Sequence, residues 1–431
     1  MSTTLIQAET KLKKTKETEF EIIYSLEDSE INFFENSITP CYPMQTWGWA
    51  TDFWLLEKQN VAGHTAYCIS IYDEKIDGAW IQAIVYQYPW HLNEVFLTIP
   101  RGPICSYGFH SQSLETQARL LQKFKQELDD LVISTSAAFV KIESTWDGSQ
   151  DLDLTTGETD HDIAPLSYKL GQDLHKLFKS QKTNFKTKFL QPPYSRTIKI
   201  QATPETGIKD ENQDFNQFFE QHFETVVSKF ESKTRYNARL AKKKGLQVFW
   251  DKSETTFKDF WQIMEKTSDR QEFVPYSRSY YSKVLKNDWA DLVLVKTAEG
   301  EVTNAWMGSF VAGMGMYLYG GSDLQFSSLK GAELIHAAAI VRTLQKCGKV
   351  VKNSEGEEVL ELIYDMGGSS LLDGALPAWD GYSKFKKGFG GKIVEYLPHT
   401  YDVIYKPWKY AWVSFLIGTV KPLVKKFRGR H

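Results

Sequence analysis

The sequence predicts an α/β protein made of two tandem domains of the same kind, because one order of elements occurs twice. Each half contains three stretches rich in β-branched and aromatic residues, then a helical stretch and one more strand. In the first half these elements fall at residues 65–73, 78–88, 94–100, 113–132 and 137–144. In the second half they fall at residues 290–298, 305–312, 316–322, 331–346 and 360–368. Self-similarity along a chain indicates a repeated structural unit, so the two halves are expected to share a fold.

Turn and capping residues delimit these elements. Asp77-Gly78 and Pro89 separate the first three predicted strands. Ser113 can cap the first helix, whose apolar residues fall on one face: Leu120, Leu121, Phe124 and Leu128. The second helix has an equivalent apolar face: Leu334, Ile335, Ala338 and Val341.

These elements divide the chain into segments. Residues 1–19 form a polar lead-in, and the first domain spans 20–188 with a polar insertion at about 147–187. The paired prolines of QPPYSRTIKI break regular structure before a strand, so the second domain is placed at 189–396.

The composition is that of a globular protein. The 431 residues are 42% hydrophobic and 24% charged, with a net charge of −3, so nothing global indicates nucleic-acid binding. One local basic patch exists at 233–244, KTRYNARLAKKK, which holds six bases and no acid. It is either a polyanion contact or a solvated helix face.

The four cysteines are far apart, without a CxxC pair or clustered histidines, so no metal site is expected. Reduced thiols and the lack of an apolar h-region near the start predict a cytosolic protein without a secretory signal.

An apolar run near the end, residues 410–420, is shorter than the roughly 20 residues that span a bilayer. Trp408 and Trp412 lie at its start, and five bases follow it: Lys421, Lys425, Lys426, Arg428 and Arg430. This pattern suits a helix lying on an anionic membrane face. The alternative is an ordinary C-terminal helix packed on the body, with a solvated basic end.

An ordered set of motifs resembles the FemABX family of peptidoglycan bridge-forming aminoacyltransferases, from about residue 45 to about 410. The motifs are QTWGWATDFW (45–54), IPRGPI (99–104), FVKIES (139–144), QPPYSRTIKI (191–200), KTRYNARLAKKKGLQV (233–248), YLYGGSD (317–323), YDMGG (364–368) and FKKGFGGKIVEYL (385–397). No single motif decides the resemblance; the order of the set carries it.

The resemblance implies two tandem GNAT-like domains, with residues 397–431 returning to the first. It implies transfer of an amino acid from aminoacyl-tRNA to the stem-peptide amine of a UDP-linked or lipid-linked peptidoglycan precursor. Aminoacyl-tRNA is then a co-substrate, and no cofactor is expected. We expect a cytoplasmic monomer, with peripheral contact at the inner membrane face if the C-terminal pattern is a membrane helix.

The sequence departs from the family at two places. The basic segment runs directly into GLQVFW, so no long helical arm is expected. Some members that bind the UDP-linked precursor have a lysine soon after the Trp of the first motif. Here no base precedes Lys58, which disfavours that acceptor.

Two residues are candidate catalytic groups. By resemblance, Lys386 matches the functional lysine of the family's F-K segment, where its charge would stabilise an oxyanion or protonate the leaving oxygen. Asp365 ends a buried-looking strand, where it would hold the acceptor amine, act as a weak base, or cap the next turn.

Six further residues form the candidate substrate-binding set. Arg239 and Lys243 would bind phosphate of the acceptor or of the tRNA. Tyr317 and Tyr319 are two apart on a strand, so they are expected to share a face and either line the acceptor groove or pack in the core. Phe385 and Trp47 complete the set; Trp47 is also consistent with core packing.

The FKKGFGG segment is expected to lead from a short helix into a two-stranded hairpin, 392–397 with 401–405, through Gly388, Gly390 and Gly391. Phe385 and Phe389, four apart, should pack on one face and direct Lys386 or Lys387 elsewhere, into the groove beside YDMGG.

Two other functions remain open from the sequence. One is a CoA-dependent N-acyltransferase, although neither 321–334 nor 101–115 contains the glycine-rich turn that would hold a pyrophosphate before a helix. The other is a non-catalytic binding protein of the same fold.

Overall fold

The computed structural model describes most of the chain, with gaps. The described residues are 20–23, 43–46, 49–50, 54, 63–73, 79–110, 112–143, 174, 176–179, 181–184, 190, 194–202, 214–311, 314–352, 358–369, 377–395 and 400–416.

Two mixed sheets contain the described strands. The first sheet contains β1 Phe20–Ile23, β2 Thr65–Asp73, β3 Trp80–Pro89, β4 Val95–Pro100, β5 Ile104–Cys105, β6 Phe139–Glu143, β7 Lys182–Asn184 and β16 Thr400–Ile404. Its strand order is β1-β2-β3-β4-β6-β16-β7, with β5 paired to β3. The second sheet contains β8 Tyr194–Ala202, β9 Gln247–Trp250, β10 Ala290–Lys296, β11 Val302–Val311, β12 Met314–Ser322, β13 Lys349–Lys352, β14 Glu358–Gly368 and β15 Lys392–Glu395. Its strand order is β15-β8-β14-β12-β11-β10-β9, with β13 paired to β14.

Helices cover these sheets. They are α1 Tyr107–His110, α2 Leu114–Thr135, α3 Phe215–Ser228, α4 Ser232–Lys243, α5 Glu254–Gln271, α6 Arg278–Leu285, α7 Gly331–Cys347, α8 Pro377–Lys387 and α9 Pro407–Phe415. The basic helix α4 is followed almost at once by β9, which confirms that no long helical arm is inserted there.

Helix α2, after the third strand of the first half, is amphipathic as expected, whereas α7 of the second half is buried around most of its surface. The Ser113 hydroxyl accepts a hydrogen bond from Thr116 N and caps α2. The face predicted for α2 is buried, as is the face predicted for α7. Burial of these faces against the sheets supplies most of the stabilisation of such helices.

The predicted internal repeat is present. In the first unit β2, β3 and β4 form an antiparallel meander, and α2 leads to β6, which is parallel to β4. In the second unit β10, β11 and β12 form the same meander, and α7 leads to β14, which is parallel to β12. The two halves therefore have one topology.

The hairpin predicted after the FKKGFGG segment is wrong. Strand β15 pairs with β8 in the second sheet, whereas β16 pairs with β6 and β7 in the first. Each strand pairs with backbone N–H and C=O groups that its sheet would otherwise leave without partners. Satisfying those groups outweighs pairing β15 with β16, its neighbour in sequence.

The two units share a core. One cluster of buried side chains combines Trp49 and Trp54 with Phe260 and Leu292. The Trp49 ring lies 4.9 Å from that of Trp289. Apolar packing of this kind fixes the second unit against the first.

Candidate active site

The parallel strands of the second unit separate along their length. Strands β12 and β14 pair at Met314 with Ile363, Gly315 with Tyr364 and Met316 with Asp365, and these two described strands make no further pair. In the first unit, pairing of β4 with β6 continues to Pro100 and Glu143, the last residues of both strands. The second unit alone therefore opens a gap between its described parallel strands at their carboxyl ends, where α/β folds place functional groups.

Lys386 lies at this gap. Its ammonium donates a hydrogen bond of 2.6 Å to the Gly368 carbonyl, at the end of β14. Its Nζ lies 4.9 Å from the ring centroid of Tyr382 and 6.0 Å from that of Tyr317. The side chain is only 8% exposed. Of the two lysines that the sequence left open, Lys386 is therefore the one directed toward YDMGG.

The turn after α8 holds Lys386 in place. The rings of Phe385 and Phe389 are 5.0 Å apart, and Phe389 also packs against Phe230. The Gly388 carbonyl accepts a hydrogen bond from Glu231 N at the start of α4. The backbone that carries Lys386 is thus fixed against Phe230 and Glu231, in the short connection between α3 and α4.

A chain of buried polar side chains lies behind Lys386, and no sequence motif predicted it. Trp306 Nε1 donates to the Tyr364 hydroxyl at 2.9 Å, and that hydroxyl lies 3.1 Å from His336 Nδ1. Burial, with a smaller effect from the positive charge of Lys386, lowers the pKa of His336 to about 3. His336 is therefore neutral near pH 7 and leaves Lys386 as the cation of this group.

The low pKa of His336 predicts acid sensitivity. Between the ordinary pKa of 6.5 and the folded value of about 3, the unfolded chain binds a proton that the folded protein does not. This histidine therefore lowers the free energy of unfolding as pH falls, by up to about 1.4 kcal/mol per pH unit. His336→Asn should flatten that slope between pH 6 and 4 in urea unfolding. His91→Asn, at an exposed histidine, is the control. Equal slopes in wild type and His336→Asn would contradict this account.

Asp365 has a structural contact. Its Oδ1 accepts a 2.6 Å hydrogen bond from Gly367 N, and its side chain is buried. This favours the third sequence alternative, in which the carboxylate caps the turn after β14. The turn presents the carbonyl of Gly368 to Lys386, so Asp365 acts on the lysine through the backbone. Its catalytic role stays a prediction.

Tyr317 and Tyr319 do not share a face as expected. The register of β12 against β11 shifts between Met307 and Gly308, so Leu318 is an extra residue in the strand. The bulge interrupts the alternation of side chains. Tyr317 packs with the α7 cluster, whereas Tyr319 packs with the core shared by the two units.

A cavity of about 500 Å³ adjoins both tyrosines. The hydroxyls of Tyr319 and Tyr280 are 2.7 Å apart beside it. None of its described lining residues carries a charge, and they include Phe273, Pro275, Tyr276, Tyr281, Tyr317 and Tyr319. Its volume and its aromatic walls are typical of small-ligand sites. Tyr317 thus contacts the Lys386 group on one side and the cavity on the other.

Acidic side chains of the neighbouring helix α3 offset part of the positive charge of the basic helix α4. Arg239 makes two hydrogen bonds, through Nε and Nη2, to Glu224 of α3, and Lys242 pairs with Glu220 at 2.7 Å. Both glutamates belong to α3 and lie outside residues 233–244, so the sequence of the basic segment alone does not reveal them. Lys243 is exposed at the end of α4.

The structure also places the other predicted site residues and tests for metal and membrane features. Phe385 packs beside His336, with ring centroids 5.7 Å apart. Trp47 lies outside the described residues. Within the described part of the chain, no three His, Cys, Asp or Glu side chains gather where they could hold a metal ion. A search of the same residues finds no helix long and apolar enough to cross a membrane.

Residues 205–304 match the family model of the FemAB family. The match confirms the resemblance to the FemABX family. FemABX members are aminoacyltransferases, so the match supports aminoacyl transfer in cell-wall biosynthesis as the general activity. No curated protein sequence matches the chain.

One solved structure shares the fold, and two others are less similar. The crystal structure of FemX is 17% identical, covers 90% of this chain and 98% of its own, and has a TM-score of 0.61. The structure of L-PGS from Bacillus licheniformis is 11% identical, with coverages of 91% and 97% and a TM-score of 0.42. Saccharomyces cerevisiae N-myristoyltransferase with bound myristoyl-CoA is 11% identical, with coverages of 90% and 79% and a TM-score of 0.34. The predicted fold class, two tandem GNAT-like α/β units, is confirmed by the FemX match.

Proposed function

We propose that this FemABX-type protein transfers an amino acid from aminoacyl-tRNA to the side-chain amine of the stem peptide of a peptidoglycan precursor. The observation that carries the proposal is the position of Lys386. Its ammonium is held at the open end of β12 and β14, next to Tyr317, whose ring also lines the cavity. Residues 205–304 of the same chain match the FemAB family.

The reaction needs little more than position and charge. The neutral acceptor amine attacks the ester carbonyl of the charged tRNA and forms a tetrahedral oxyanion. Collapse of this intermediate forms the amide bond and breaks the ester C–O bond. The amine loses a proton, and the leaving 3′-oxygen gains one. A fixed cation beside the oxyanion lowers the barrier, and orientation of the two substrates lowers it further.

Lys386 suits this role because its surroundings restrain it. The bond to Gly368 O and the ring of Tyr382 fix the ammonium, so little reorganisation accompanies the developing charge. His336, neutral at pH 7, adds no competing positive charge. We assign Lys386 as the group that stabilises the oxyanion or protonates the 3′-oxygen.

We assign the cavity beside Tyr317 and Tyr319 to the acceptor. Its uncharged tyrosine-rich wall can pack against a peptide stem and hydrogen-bond to its amides. The phosphates of the acceptor or of the tRNA are assigned to Lys243 and Arg239. Binding there requires Arg239 to exchange its contact with Glu224 for the phosphate.

A transfer assay tests the proposal. Total tRNA charged with labelled amino acids is incubated with the protein and either a UDP-linked or a lipid-linked precursor. We expect label in one precursor, and loss of that label when the tRNA is first digested with ribonuclease. Acetyl-CoA in place of tRNA is the control for the N-acyltransferase alternative. Acetylated precursor, with no aminoacylated product from any charged tRNA, would contradict the proposal.

A further inference from the structure

The outer face of α9 exposes three large aromatic side chains. Trp408, Trp412 and Phe415 are 89%, 56% and 52% exposed. They are spaced i, i+4, i+7, so they form one stripe along the helix. A contiguous exposed aromatic stripe of this size on a protein surface indicates an interaction site.

The inner face of the same helix is firmly anchored. Val413 is buried, and the Tyr410 ring packs against Phe139 at 5.1 Å. The Tyr410 hydroxyl donates to Asp402 at 2.6 Å and accepts from Asn184 at 2.9 Å. The helix therefore has no need of its outer aromatic residues for attachment to the first unit.

Charge identifies the occupant of the outer face. No acid follows Asp402, while seven bases do: Lys406, Lys409, Lys421, Lys425, Lys426, Arg428 and Arg430. The first 402 residues hold 44 basic and 54 acidic residues, a net charge of −10. Lys406 and Lys409 both pair with Glu94, and the other five bases follow the aromatic stripe in sequence.

We propose that α9 and the basic residues after it dock the protein on an anionic phospholipid surface. Tryptophan and phenylalanine enter the interfacial layer, where aromatic rings are favoured, and the five bases meet the headgroups. Repulsion between the acidic body and the bilayer orients the protein so that this end alone makes contact. The inference goes beyond the proposed transfer reaction and does not depend on it.

Vesicle flotation without any substrate tests this docking. Wild-type protein should float with vesicles of phosphatidylglycerol and phosphatidylcholine, bind pure phosphatidylcholine far less, and be released by high salt. Trp408→Ala/Trp412→Ala should weaken partitioning at least about tenfold. Lys421→Gln/Lys425→Gln/Lys426→Gln should weaken it on the order of 100-fold, at about 1 kcal/mol per base.

A matched control uses exposed apolar residues elsewhere. Leu114 and Ile133 of α2 are 65% and 72% exposed, and Leu114→Ala/Ile133→Ala should bind vesicles as wild type does. Equal binding to neutral and anionic vesicles, or unchanged binding by the double tryptophan variant, would overturn the proposal. So would a dimer in solution that dissociates in that variant while the wild type binds no vesicles, since the stripe would then serve self-association.

Discussion

Lys386→Met is expected to reduce kcat for aminoacyl transfer by about 10²- to 10³-fold, the usual effect of removing one preorganised group that stabilises an oxyanion. KM for the precursor should change little, because the lysine acts in the transition state. Methionine has a similar length and can fill the space beside Tyr317 and Tyr382. Steady-state transfer from charged tRNA measures both constants.

Lys387→Met is the matched control. Lys387 is adjacent in the same helix but lies on a different face, and the hydrogen bond to Gly368 O comes from Lys386. Its transfer rate should stay within about twofold of wild type. Equal losses in the two variants, or full activity of a folded Lys386→Met protein, would contradict the role assigned to Lys386.

Gly391→Ala is expected to destabilise the protein by on the order of 3 kcal/mol. Gly391 has φ +67°, and a Cβ there would lie 2.4 Å from the Thr197 carbonyl oxygen and 2.8 Å from Cγ1 of Ile198. Backbone strain and a clash with strand β8 would thus act together, because neither the carbonyl nor the strand can move aside cheaply. Urea unfolding measures the loss.

Gly381→Ala provides the opposite expectation in the same region. Gly381 lies within α8, and a Cβ there meets no atom within 4 Å. Alanine should therefore stabilise the protein by up to about 1 kcal/mol through helix propensity. Destabilisation by Gly381→Ala would contradict the open surroundings described for α8. A neutral Gly391→Ala would contradict the tight turn described after that helix.

The repeat was predictable because its signals are local. Alternation in the strands, the Ser113 cap and the apolar faces of α2 and α7 depend on residues a few positions apart. The packing of Phe385 against Phe389 was predictable for the same reason, whereas the choice of Lys386 over Lys387 came only from the structure.

What the sequence did not predict depends on distant partners. The partners of β15 and β16 are strands far away in the chain, chosen by open sheet edges. Glu224 neutralises Arg239 from another helix. Gly308, opposite Tyr317, was the one local sign of the bulge, since glycine within a strand often marks such a site.

His336 shows the same limit at the site itself. In sequence it is a lone histidine in an apolar helix, and such residues are commonly buried in cores. Only the fold brings it within reach of Tyr364 and the charge of Lys386. No spacing rule links residues 336, 364 and 386.

The most direct test of aminoacyl transfer is the mass of the precursor after incubation with wild-type protein and total charged tRNA. We expect the mass to increase by one or more amino-acid residues. Fragmentation should place the new amide on the side-chain amine of the stem peptide. A precursor of unchanged mass in both its UDP-linked and lipid-linked forms, with folded protein and intact aminoacyl-tRNA present, would contradict the proposed transfer.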